Sequence, residues 1–200
     1  MSLFQKTIIQ KYIADADHSI IEGAYTIYKS YFLNYTIQQN IIAQKEEQFQ
    51  EGFLRELFVK VLNYTINPEP DFNLTTELKN EKDSKKADGA IIDKNKVIAV
   101  IELKGTDTTN LNKVEQQAFN YKVNQDGCRY VITSNFQKLR LYIDNAIEHI
   151  EWDLFNLTLD DFKILYICLQ KEYLLKDIPA QMKKASVVQE EDITKKLYKE

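Results

Sequence analysis

The sequence predicts an α/β fold, with one mixed central β-sheet flanked by helices and an N-terminal helical region. Three observations predict it. The elements run in the order helices, then β-β-α-β-β, then helix, which sets a sheet under helices on its faces. One segment, VIAVIEL at residues 97–103, is almost continuously apolar, as in a central strand covered on both faces. Finally, 200 residues with 44% hydrophobic and 12% aromatic content can close a sizeable core.

Taken in order, residues 3–45 read as helix, broken near residues 15–19 or at Gly23. The apolar pairs Ile8/Ile9, Tyr12/Ile13, Ile20/Ile21 and Tyr31/Phe32 recur at helical intervals. Residues 46–66 predict a clearer helix, with Phe53, Leu54, Leu57, Phe58, Val61 and Leu62 in one stripe. At about 100° per residue, Glu47 falls near the middle of that stripe, Glu51 near its edge and Glu56 opposite. Carboxylates on a buried flank are costly unless partnered. The alternative is that both lie at the exposed N-terminal end, where the helix dipole favours them. Asn67-Pro68-Glu69-Pro70 stops the helix.

LTTELK, at residues 74–79, reads as a short strand running into a Lys-rich loop with Lys79, Lys82, Lys85 and Lys86. Residues 87–92 and 96–103 predict two strands joined by a tight turn at residues 93–95. Residues 111–124 predict a helix with Leu111, Val114, Ala118 and Tyr121 on one face, ended by Gln125-Asp126-Gly127. Strands follow at 128–133 and 139–143, around a turn at Ser134-Asn135-Phe136, and then a helix at 159–176. Residues 185–200 read as a linker and the start of one more helix. The expected division is a helical region at 1–45, a catalytic α/β domain at 46–180, and a linker at 181–200 leading to a further domain.

Composition narrows the function. No apolar run reaches the roughly 18 residues of a membrane span. The first twenty residues carry charges and lack the continuous apolar stretch of a signal peptide. Cys128 and Cys168 are too few for a disulfide scaffold, and each sits in an apolar segment as a small core residue. His18 and His149 lack metal-ligand spacing, and there is no Gly-rich phosphate loop. A cytoplasmic protein without a membrane partner is expected. The net charge of −4 argues against a basic nucleic-acid coat but not against a DNA enzyme that carries its own carboxylates. With 23 Lys against 3 Arg, contacts to DNA should be mostly lysine to phosphate, which position without specifying.

Phosphodiester hydrolysis is slow, and proteins commonly meet it with a divalent cation held by carboxylates, with a lysine nearby to orient water. Asp88, Glu102 and Lys104 supply that kit. Glu102 and Lys104 lie two apart on one strand, so both side chains leave the same face. A turn centred near Lys94 pairs Asp88 with Val100, and a small register shift brings it opposite Glu102. The Glu-x-Lys spacing alone is worth little, since Glu77-Leu78-Lys79 repeats it. Context distinguishes Glu102: it ends a buried apolar strand, Gly105 follows, and an acidic residue starts the neighbouring strand.

The run KADGAII…VIAVIELKG resembles the PD-(D/E)xK nuclease motif, with Ala87 in place of the proline. Gln117-Ala-Phe-Asn-Tyr121 is similar to the QxxxY motif that follows the core in restriction subunits of that superfamily. The helical wheel favours Gln117 over Gln116. Over about residues 45–180 the chain looks like the N-terminal nuclease part of type IIG restriction-modification enzymes.

The resemblance implies a restriction-endonuclease-like core and a Mg²⁺-dependent DNA endonuclease, with Mn²⁺ as a substitute ion. Asp88, Glu102 and the Leu103 carbonyl would ligate the metal. Lys104 would activate water, and Gln117 would hold DNA or support the site. An upstream helix would add an acidic residue, Glu47 or, second, Glu51. The implied partners are double-stranded DNA, methyltransferase and specificity parts downstream, and a transient second copy for double-strand cleavage. No methyltransferase motif lies within these residues, so the chain is expected to be part of a longer one. Two alternatives are the nuclease of a type I restriction subunit and a nuclease-fold module that binds without cutting.

Overall fold

The computed structural model describes residues 3–79 and 86–197. Lys82 and Lys85 of the Lys-rich segment lie outside the described residues. The N-terminal region forms α1 (Lys6–Ala14), α2 (His18–Phe32) and α3 (Tyr35–Ala43). The break near residues 15–19 is present, because Asp17 accepts from the Ser19 and Ile20 amides and caps α2. Gly23 lies inside α2. The second break falls at Asn34, which caps α3 by accepting from Thr36 and Ile37. A short polar side chain that bonds the next turn's amides starts a new helix where apolar periodicity alone reads through.

Helix α4 (Glu46–Phe53) continues without a break as a π-helix (Leu54–Val61). The chain leaves it at Asn63, where φ is 65°. The strands are β1 (Leu74–Lys79), β2 (Lys86–Asp93), β3 (Lys96–Leu103), β4 (Tyr130–Ser134), β5 (Lys138–Ile143) and β6 (His149–Asp153). Helix α5 (Asn112–Val123) connects β3 to β4. After β6 come α6 (Leu159–Leu169), α7 (Lys171–Leu175) and α8 (Ile178–Leu197).

Several elements depart from expectation. Lys79 ends β1 rather than opening a loop. Strand β6 was not anticipated. The helix expected at 159–176 is two helices, divided at Gln170, whose side chain accepts from the Glu172 amide. The linker expected from residue 185 is helix as far as Leu197.

The sheet order is β1-β2-β3-β4-β5-β6, antiparallel throughout except for the parallel pair β3–β4. Parallel neighbours need a crossover, and α5 supplies it. The larger core lies on one face, where α1–α4, the π-helix and α6–α8 cover Leu74, Ile91, Ile101, Ile132 and Leu141. The other face packs Val100, Val131 and Tyr142 under Ala118 and Tyr121 of α5. Strand β3 is therefore sandwiched, which accounts for its apolar run. The fold class is as expected: a mixed sheet between helices, consistent with a restriction-endonuclease-like architecture. Among the described residues no helix is long and apolar enough to cross a membrane.

Candidate active site

The β2–β3 hairpin decides where the acidic residues meet. Asp93 pairs with Lys96 across a two-residue turn in which Lys94 and Asn95 both have positive φ, 47° and 65°. That is a primed hairpin turn, whose twist suits antiparallel strands. The register then shifts between Ile91 and Ile92, so that Ile91 pairs with Ala99 while Ile92 pairs with Val97. The extra residue, Ile98, moves every later pair by one and brings Gly89 opposite Ile101. One step on, Asp88 reaches the level of Glu102. The ladder ends there, and the Asp88 carboxylate takes the place of a strand partner by accepting the Leu103 amide at 2.7 Å.

Glu102 is the most buried acid of the site, 1% exposed at the end of β3. Its Oε1 accepts from Lys104 Nζ at 3.1 Å and from Gln117 Nε2 at 2.5 Å. Gln117 in turn lies 3.4 Å from the Tyr121 hydroxyl, so α5 holds Glu102 from above. Lys104 Nζ also donates to the Leu103 carbonyl at 2.9 Å and to Glu46 Oε1 at 3.2 Å. Three oxygens from α4 and β3 thus converge on one ammonium.

Asp88, Glu102, Lys104 and Gln117 are brought together; Glu47 is not. Glu47 is exposed on the outer side of α4, and Glu51 is exposed and paired with Arg55 at 2.8 Å. The acid that reaches the site is Glu46, which also takes the Gly105 amide at 3.4 Å. Beside it Gln50 donates to Glu46 at 3.2 Å. One turn further along, Leu54 packs on Gly89, where a Cβ would lie 3.3 Å from Leu54 Cδ1 and 3.3 Å from the Thr75 carbonyl. The missing side chain lets the helix approach the strand, and the line Leu54, Gln50, Glu46 then runs over Asp88 to Lys104.

A signal for this choice exists in the sequence. Phe53, Leu57 and Val61 repeat every four residues, as do Leu54, Phe58 and Leu62. An α-helix allows that spacing too, but here the segment is the underwound π-helix. Projecting it at 100° per residue swings the phase and puts Glu47 under the stripe. Anchoring the wheel on Phe49 and Phe53 of the α-helical part puts Glu46 and Gln50 there.

The electrostatics follow from burial. Burial pushes the Glu102 carboxyl up to about 7, Asp88 adds to the rise, and Lys104 opposes it. Asp88 is raised in the same direction, mainly by burial, with the Leu103 amide holding it back. Burial draws the Lys104 ammonium down, but Glu102 and Asp88 outweigh that and leave it above the ordinary lysine value. The site therefore holds protons more tightly than isolated carboxylates would.

Glu102 Oε2 is buried and has no hydrogen-bond partner among the described residues. A fully buried carboxylate oxygen left bare fits a cation ligand. Asp88, Glu102, Glu46 and the Leu103 carbonyl form a hard-oxygen set that suits Mg²⁺ or Mn²⁺. Among the described residues no three His, Cys, Asp or Glu side chains already stand in a metal-holding arrangement. The Lys104 ammonium binds Glu102 Oε1, Glu46 Oε1 and the Leu103 carbonyl, so a cation taking those oxygens would displace it.

A groove lined by Lys113, Gln116, Gln117, Asn120 and Tyr121 runs along α5 beside the cluster and bears no acidic side chain. Neither histidine joins the site: His18 is exposed at the start of α2, and His149 packs at a tilt against Tyr142. Cys128 and Cys168 are buried free thiols.

In comparisons with known proteins, the family model described as MmeI, N-terminal domain, matches residues 34–197. No curated protein and no solved structure matches the chain.

Proposed function

The chain belongs to the MmeI N-terminal-domain family, the N-terminal domain of a type IIG restriction enzyme, and from that premise we propose that it is a Mg²⁺-dependent DNA endonuclease of the PD-(D/E)xK superfamily. The observation that carries the reading is the meeting of Asp88 and Glu102 at one end of a buried hairpin, with Lys104 bound to Glu102 and with Glu102 Oε2 unpartnered. A structural ion pair has no need of a bare buried oxygen, whereas a cation site does.

In this reading Asp88, Glu102 and the Leu103 carbonyl hold the cation, and Glu46 takes the role expected of Glu47. A divalent ion held there would neutralise charge on the phosphate and lower the pKa of nearby water. Lys104, freed from the carboxylates, would orient the attacking water and offset phosphate charge. Gln117 keeps Glu102 in place, with Tyr121 behind it. The water oxygen bonds to phosphorus in line as the bond to O3′ breaks, and the proton that the water gives up to solvent is matched by the one that O3′ takes from solvent, leaving 5′-phosphate and 3′-hydroxyl ends. The α5 groove offers Lys113, Gln116 and Asn120 to the DNA backbone. The methyltransferase and recognition functions belong to downstream parts of a longer polypeptide, and double-strand cleavage to a transient pair of copies.

The test is nicking of supercoiled plasmid with excess protein, with Mg²⁺ or with a chelator. Weak cutting with little sequence preference is expected in Mg²⁺ and none in chelator, since only three Arg are available to read bases. Binding should fall steeply with salt, as lysine–phosphate contacts require. Asp88→Ala should abolish the nicking while remaining folded, because removing one acid relieves like-charge repulsion. Equal nicking by Asp88→Ala, or by wild type in chelator, would refute the reading.

A further inference from the structure

The turn between β4 and β5 lies at the same end of the sheet as the acidic cluster. The Ser134 carbonyl accepts the Lys104 amide at 2.8 Å, and Asn135 Nδ2 donates to the Thr108 carbonyl at 2.9 Å. The turn is closed by Asn135 and Lys138. The Asn135 amide donates to the Lys138 carbonyl at 3.1 Å, and the Lys138 amide donates to Asn135 Oδ1 at 2.7 Å. It is thus tied to the end of β3 and to the loop that follows Lys104.

Its first central residue is Phe136, with φ at 68°. Hairpin turns favour Gly or Asn at such a position, because a bulky side chain is strained at positive φ. The side chain is nevertheless buried, and its ring meets two rings of α4: Phe49 edge-on with centroids 5.0 Å apart, and Phe53 at a tilt with centroids 5.4 Å apart. Local preference is overridden here by a contact between the end of the sheet and α4. Glu46 lies one helical turn before Phe49, on the same side of the helix. Leu54 on Gly89 holds α4 further along, and Phe136 holds it near Glu46.

We propose that Phe136 is a positioning residue for Glu46: its ring, wedged against Phe49 and Phe53, sets α4 where the Glu46 carboxylate reaches the end of β3 and the cation site there. The inference rests on the endonuclease reading above. Glu46 spans Lys104 Nζ at 3.2 Å and the Gly105 amide at 3.4 Å, and its carboxylate moves with the helix that carries it. A ligand must be held to within about 0.5 Å by the packing behind it. Groups that orient metal-ligating side chains typically tune metal affinity by about 10–100-fold.

The experiment is calorimetric titration of Mn²⁺ into wild type, Phe136→Leu, Glu46→Gln and the double variant, with thermal melts in chelator to show that each is folded. Phe136→Leu should lose about tenfold in Mn²⁺ affinity. The double variant should bind within about twofold of Glu46→Gln alone, since no carboxylate remains for the ring to place. Phe162→Leu is the control for lost packing. That ring is fully buried against Tyr25, Tyr28 and Tyr166, away from α4, and its loss should lower Tm without moving Mn²⁺ affinity. If Phe136→Leu does not fold, Phe49→Leu removes the other ring of the same contact and is read in its place. Wild-type Mn²⁺ affinity in the Phe136 or Phe49 variant, an equal loss with and without the Glu46 carboxylate, or a matching loss in Phe162→Leu would overturn the positioning role alone. A wild type that binds no Mn²⁺ would overturn the endonuclease reading and this inference with it.

Discussion

Replacing Lys104 with alanine is expected to lower DNA cleavage by about 10²–10⁴-fold, the range for losing a group that acts on the proton or charge of the transition state. The same change should leave Mn²⁺ binding intact or tighten it. Lys104 Nζ contacts Glu102 Oε1, Glu46 Oε1 and the Leu103 carbonyl, the oxygens a cation would claim, so removing the ammonium removes a competitor. In chelator the variant should be less stable by about 1–3 kcal/mol, less than a fully buried broken pair would cost because Lys104 and Glu46 are partly exposed. Mn²⁺ should restore that stability.

Lys79 is the internal control. It also follows Glu-Leu, but it ends β1, two strands away from β3. Lys79→Ala should weaken DNA binding slightly, as loss of one phosphate contact does, and leave cleavage otherwise intact. Single-turnover cleavage with excess enzyme decides between them. Near-normal cutting by Lys104→Ala, or loss of cutting in Lys79→Ala, would reject the assignment.

Glu102→Gln is expected to make the metal-free protein more stable above neutral pH while abolishing metal binding and cleavage. Burial raises the Glu102 carboxyl to about 7 from an ordinary 4.5. The folded state then binds its proton more tightly than the unfolded state does. Its stabilising contribution is full below about pH 4.5 and is lost as pH rises through about 7. By about pH 8 the ionised carboxylate costs roughly 3 kcal/mol, which glutamine avoids. For a chain of this size that is a gain of roughly 5–10 °C in Tm. Asp88 is raised in the same sense, so the variant should keep a shallower slope of its own. Wild-type Mn²⁺ affinity should climb through the same pH window, because the ion competes with the proton. Thermal melts in chelator at about pH 5 and pH 8 test this. A gap between variant and wild type that stays constant with pH would refute it.

The sequence made the centre of the site legible because physical constraints there are local. An apolar run names β3 as the sandwiched strand, and a charged pair at its end has few structural explanations. The wheel also chose Gln117 over Gln116 correctly for position, since a regular α-helix rotates both by a known angle. Other parts were hidden by non-local or irregular geometry. Glu46 was missed for Glu47 because an underwound helix was phased as an α-helix. The bulge at Ile98, which sets Asp88 level with Glu102, leaves no mark in residue type. Strand β6 is five residues with His149 and Glu151 among them, an edge strand whose pairing partner, β5, supplies most of its order.

The most direct measurement of the central claim is anomalous diffraction from crystals of the protein soaked in Mn²⁺. The account predicts a peak within ligand distance of the Asp88 and Glu102 carboxylates and the Leu103 carbonyl, with Lys104 Nζ displaced from its present contacts to Glu46 and Glu102. A peak elsewhere, or an ammonium still bound between those carboxylates with no ion beside it, would contradict it.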